Sequence, residues 1–243
     1  VTDRILRAFL PYLIASASHL VLLVTGPGWA ITATKATLMP LLAFAAVVLL
    51  RPRRDAPVVL LLAALGASWV GDVLLSFRGD VWFVAGLLGF LSAHVAYLLL
   101  FVRLGRSDRG PTSSGRDARR MPHPIVLAAY AVWFAVFLAI LGPHLGVLLL
   151  PVAAYGLVLG AMAAFASARG RLIAIGGALF VVSDSVLALG RFLPGYDFAL
   201  HDLTVMGTYL AAQGLITLGV ILALRGAAPS RREPGRPVPA TAP

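Results

Sequence analysis

Long apolar runs recur along this chain, each ended by a short connector rich in Pro, Gly or Arg. Eight of them are about 18 to 25 residues long, the length at which an α-helix crosses a hydrocarbon core. They cover residues 8–24, 30–50, 57–77, 81–102, 124–141, 145–168, 172–192 and 203–224. The pattern predicts an all-α fold, a polytopic membrane protein with eight transmembrane helices. Arg4 and Arg7 precede the first run as they would in a signal peptide. No small-residue cleavage site leads from it into a soluble segment, however, so it is read as the first spanning helix.

The longest connector, "RLGRSDRGPTSSGRDARRMPHP" at 103–124, divides a single transmembrane domain (1–228) into two four-helix halves, about 1–105 and 122–228. Its Gly, Ser, Pro and Arg content is that of a solvated linker. The tail 229–243, "PSRREPGRPVPATAP", is expected to be disordered. The interval from Asp72 to Asp184 is 112 residues, and the same interval carries Leu75 onto Leu187 and Tyr97 onto Tyr209. Because each half holds an even number of spans, such a repeat would be parallel rather than inverted.

Composition supports the membrane reading. The chain of 243 residues is 60% hydrophobic and 12% charged, with a mean hydropathy of +0.92. A soluble domain carries about a quarter charged residues. The net charge of +10 does not point to nucleic acid, because the basic residues sit in connectors and form no stripe. Seventeen of the twenty Lys and Arg fall on one side of the predicted bilayer, and only Lys35, Arg78 and Arg191 on the other. The positive-inside rule then places both termini in the cytoplasm, and a bacterial plasma membrane is the expected location. With no cysteine, disulfides, thiolate metal sites and cysteine nucleophiles are excluded. The oligomeric state has no signature in the sequence.

Against this background the intramembrane polar residues stand out. "VGDVLLSF" and "VSDSVLAL" each set one aspartate, Asp72 and Asp184, in an apolar span. An acid at mid-helix costs about 2.5–3.5 kcal/mol on insertion scales, which makes it a functional-site candidate. Asp72 lies five and Asp184 eight residues short of the predicted outer end, about 8–12 Å at helical rise, so they should share a depth. The alternative is that each only fixes helix packing. His94 and Tyr97 fall on one face of the fourth span, and Tyr209 and Gln213 on one face of the eighth. Lipid cannot satisfy their hydrogen bonds, so they should face the interior. Lys35 starts the second span near the outer surface, where it either snorkels to headgroups or pairs with a carboxylate or phosphate. His19 is read as packing. No ligand spacing such as HExxH supports a metal, and no cofactor is expected. No GxSxG elbow supports an ordinary lipase.

Taken in order, "K…LMPLL", "GDVLL", "GFLSAHVAY", "FVVSDSVLAL" and "TYLAAQGLI" resemble the motifs of the YhhN family, from about Lys35 to Ile216. Vertebrate members of that family are lysoplasmalogenases. One departure is Ala36, where the family pattern has proline after the lysine. The resemblance implies an intramembrane hydrolase that opens the vinyl ether bond of a lysoplasmalogen, releasing a fatty aldehyde and a glycerophospho-alcohol. It also implies that Asp72 and Asp184 are the catalytic pair. The implied partners are a lysophospholipid substrate and membrane lipids.

The chemistry fits the residues independently. A vinyl ether is opened by protonating its double bond, and water then attacks the oxocarbenium-like cation. Two carboxyls in one low-dielectric pocket can divide that work, one kept protonated as acid and the other ionised as base. His94, Tyr97, Tyr209 and Gln213 would orient water and glycerol, and Lys35 would take the phosphate. The rival reading is a proton-coupled small-molecule or lipid transporter in which the same acids form a relay.

Overall fold

The computed structural model describes residues 2–51, 55–107 and 121–226. They form eight α-helices: α1 (Thr2–Thr25), α2 (Gly28–Leu50), α3 (Ala56–Leu74), α4 (Asp80–Ser107), α5 (Pro124–Leu145), α6 (Leu149–Ser167), α7 (Arg171–Phe192) and α8 (His201–Gly226). Among the described residues there is no strand. The tail 229–243, and most of the basic connector expected to be a linker, lie outside the described residues.

Length and apolarity identify seven stretches able to cross a membrane, because 124–167 counts as one helical stretch of 44 residues. That stretch is not straight. A single 3-10 turn, Gly146–Leu148, separates α5 from α6, and Gly146 has a φ of +49°, a backbone conformation that L side chains rarely adopt. Beyond it the chain folds back. Phe134 and Phe137 of α5 lie against Gly156 of α6, and Trp133 against Gly160. The later α5 residue meets the earlier α6 residues, so the two helices are antiparallel.

Helix ends differ from expectation where turn chemistry intervenes. α3 ends at Leu74 rather than at 77. Its last residues pass into i to i+3 bonds, Ser76 N to Val73 O and Phe77 N to Leu74 O, before Gly79 at φ +114° turns the chain into α4. Asp72 is therefore two residues from the assigned end of its helix, while Asp184 is eight from the end of α7.

Neighbour relations close a ring in the order α2, α3, α4, α6, α7, α8 and back to α2. α1 packs outside on α2 and α8, and α5 outside on α6 and α7. Two of the ring contacts are very close. A Cβ at Gly89 of α4 would lie 2.9 Å from the amide nitrogen of Gly71 in α3. A Cβ at Gly176 of α7 would lie 2.9 Å from the carbonyl oxygen of Ala212 in α8. Lipid tails are as apolar as leucine, so helices gain by close backbone approach and interhelical hydrogen bonds, which small residues permit.

Candidate functional site

Asp72 follows Gly71, where the Phe90 ring of α4 packs directly against the α3 backbone. Its carboxylate is 2% exposed. Oδ2 accepts the Tyr209 hydroxyl at 2.7 Å, and Oδ1 lies 3.6 Å from Nζ of Lys35. One turn away on the same face of α3, Ser68 accepts Nε2 of Gln213 at 2.9 Å. Oε1 of Gln213 in turn accepts the Tyr97 hydroxyl at 2.5 Å. Asp72 and Ser68 on α3, and Tyr209 and Gln213 on α8, are each four residues apart, so these bonds form two rungs of one polar ladder.

Asp184 has a different environment. Its Oδ2 accepts the Tyr155 hydroxyl at 2.5 Å and lies 3.2 Å from Nε2 of His94. Nε2 of His94 is also 2.9 Å from the Tyr155 oxygen. Since Tyr155 gives its only proton to Asp184, Nε2 must carry the hydrogen and donate. Nδ1 of His94 is buried and has no partner. Asp184 thus has a tyrosine and a histidine as donors and no Lys or Arg partner within ion-pair distance among the described residues.

Each aspartate takes its partners from two other helices. Asp72 of α3 has Lys35 of α2 and Tyr209 of α8. Asp184 of α7 has Tyr155 of α6 and His94 of α4. Rings fill the space between the two groups: Phe180 is 4.6 Å from His94 and 5.5 Å from Tyr209, centroid to centroid.

An apolar cavity adjoins Asp184. Its walls are Phe83, Leu87 and Phe90 of α4, Trp133 and Phe137 of α5, and residues of α6 and α7. Asp184, Tyr155 and Ser185 are the groups with polar side chains apart from Trp133, whose Nε1 is turned to Ser185 Oγ at 3.1 Å. Asp184 is 10% exposed; Asp72 does not line the cavity. Among the described residues α4 and α5 are not a packed pair, so the cavity lies between two helices that do not pack on each other.

The structure therefore brings Lys35, Asp72 and Tyr209 together, places Tyr97 and Gln213 one turn along the same ladder, and sets His94 on Asp184. Lys35 is engaged with a carboxylate. Tyr155 was not apparent from the sequence: a single tyrosine in "LLPVAAYGLVLG" looks like one more large apolar residue until its hydroxyl is seen on Asp184. Among the described residues no three His, Asp or Glu gather as metal ligands would.

The order of these residues along the chain agrees with a family pattern, and the model of the YhhN family matches residues 30–220. The chain belongs to the YhhN family. A Mycobacterium bovis protein named lysoplasmalogenase is 36% identical to it over 203 residues, covering 80% of this chain and 72% of that protein. Human lysoplasmalogenase TMEM86B is 35% identical over 162 residues, 67% of this chain and 63% of the human protein. The rat TMEM86B protein is 34% identical over 165 residues, with 67% and 61% covered. No solved structure matches. This YhhN protein is an integral membrane protein, with the matched segment spanning α2 to most of α8 and with α1 outside it.

Proposed function

We propose that this YhhN protein hydrolyses the vinyl ether bond of lysoplasmalogen-type lipids, with Asp184 as the proton donor. The observation that carries the reading is the contrast between the two carboxylates. Asp72 is sealed against an ammonium and a tyrosine and does not line the apolar cavity. Asp184 is held by Tyr155 and His94 and lines the apolar cavity, where its carboxyl can meet an alkenyl chain. Tyr155 and His94 both address Oδ2, leaving Oδ1 free to carry the proton toward the cavity.

The alkenyl chain would lie in that cavity, reached from the lipid between α4 and α5. Asp184 transfers its proton to the outer carbon of the double bond, and the carbon attached to oxygen becomes an oxocarbenium ion. Water attacks that carbon and gives its proton to the carboxylate that Asp184 has become. The hemiacetal collapses as its hydroxyl proton passes to the glyceryl oxygen, giving a fatty aldehyde and a glycerophospho-alcohol. Lys35 takes the lipid phosphate; as the ammonium is shared, more of the Asp72 charge is left to stabilise the cation. Phe90 and Trp133 line the same cavity, and aromatic rings attract a cation.

The lipid-facing topology follows the same reading. We take α5 and α6 as two passes: 44 residues of helix would extend about 66 Å, twice a hydrocarbon core of about 30 Å, and the two helices fold back on each other. That makes eight passes, with both termini in the cytoplasm and the site near the outer face of a bacterial plasma membrane. Moving every helix of the ring four places along the chain reproduces the ring, which supports two parallel four-helix halves.

The test is to incubate detergent-purified protein with an alkenyl lysophospholipid and with its acyl ester analogue. Aldehyde should come from the first and no fatty acid from the second. Folded protein that releases no aldehyde would refute the proposal. A proton-coupled carrier is the second reading, favoured by the parallel halves, and substrate flux into proteoliposomes without conversion would establish it instead.

A further inference from the structure

One buried polar group has no role in that scheme. His19 of α1 is fully buried, and its Nδ1 lies 2.8 Å from Oγ1 of Thr34. The Thr34 hydroxyl already donates to the Ala30 carbonyl at 2.8 Å, so Nδ1 of His19 must be the donor in the His19–Thr34 bond. That fixes the neutral tautomer and leaves Nε2 as a bare lone pair, with no partner. A buried acceptor left unpaired is costly, and such a group calls for a donor that arrives from outside. Lys35 is the next residue after Thr34 on α2, and its ammonium sits on Asp72.

An acceptor without a donor beside a cation is complementary to a hydroxyl beside an anion. The glycerol of a lysophospholipid carries that pair, a free 2-hydroxyl next to the 3-phosphate. We propose that Nε2 of His19 accepts the 2-hydroxyl while Lys35 holds the phosphate, and that His19 thereby selects the lyso form of the lipid. A 2-acyl lipid has no donor to offer and would set an ester oxygen against the lone pair. The inference rests on the lysolipid reading above. His19 belongs to α1, outside the segment matched by the family model.

The experiment compares aldehyde release from an alkenyl lysophospholipid and from its 2-deoxy analogue, for the wild type, H19N and H19Q. Asparagine places its amide near the Nδ1 position and loses the acceptor at Nε2; glutamine places an amide oxygen near Nε2. The wild type should favour the hydroxyl substrate at least tenfold in kcat/KM. H19N should abolish most of that preference, and H19Q should retain more of it than H19N. A wild type that does not distinguish the two substrates overturns the inference without recourse to any variant. So does an equal loss on both substrates in H19N. In either of those cases aldehyde is still released and the hydrolase reading stands, whereas no aldehyde from either substrate would refute that reading.

Discussion

At the scale of single residues, the account turns on two aspartates that look alike in the sequence and have different partners in the fold. Their replacement by asparagine should separate them. D72N leaves the Lys35 ammonium beside a neutral amide, and loss of one member of a buried pair is expected to destabilise by about 3 kcal/mol. D184N keeps an acceptor for both Tyr155 and His94, so its midpoint of thermal unfolding in detergent should stay close to that of the wild type. A Y155F variant should lower kcat about tenfold with KM little changed, because Tyr155 holds one carboxyl oxygen and leaves the other free. Asp72, Asp184, Lys35 and His94 were legible because ionisable groups in long apolar runs are expensive to insert. Tyr155 and the bare face of His19 were not. A tyrosine's body is at home in lipid, and a histidine's tautomer depends on a threonine fifteen residues away.

At the scale of elements, helix existence followed from span length, whereas helix ends followed from local bonding that hydropathy does not record. The last turn of α3 and the Gly146 reversal between α5 and α6 are examples. Glycines at the helix crossings are equally silent in a hydropathy profile, though they set how near α3 and α4 come. In G89A the new methyl would meet backbone rather than a flexible side chain, so the two helices must part. A loss of about 1–3 kcal/mol is expected, read as a lower midpoint of unfolding, with activity falling further as the α3 carboxylate shifts from Tyr209. G207A, where nothing lies within 4 Å of the added atom, should leave stability within about 0.5 kcal/mol of the wild type.

At the scale of the whole molecule, the absence of cysteine makes topology directly measurable by single-cysteine labelling. With eight passes, cysteines replacing Val147 and Ala199 should react with a membrane-impermeant maleimide in intact cells, and one replacing Arg51 should react only after the membrane is opened. A single crossing by 124–167 would instead bury the first of these at mid-membrane. The interval of 112 residues is what suggested a 4+4 arrangement in the sequence. The exchange of partners, by which Asp72 is held from α2 and α8 and Asp184 from α6 and α4, could be seen only once the ring was closed.

The most direct test of the account is the initial rate of aldehyde release by D184N against the wild type, on an alkenyl lysophospholipid at saturation. Loss of the group that delivers the proton should lower kcat by about 10²- to 10⁴-fold in a protein that still unfolds at the wild-type temperature. A folded D184N protein working within tenfold of the wild type would contradict the assignment of Asp184 as the acid.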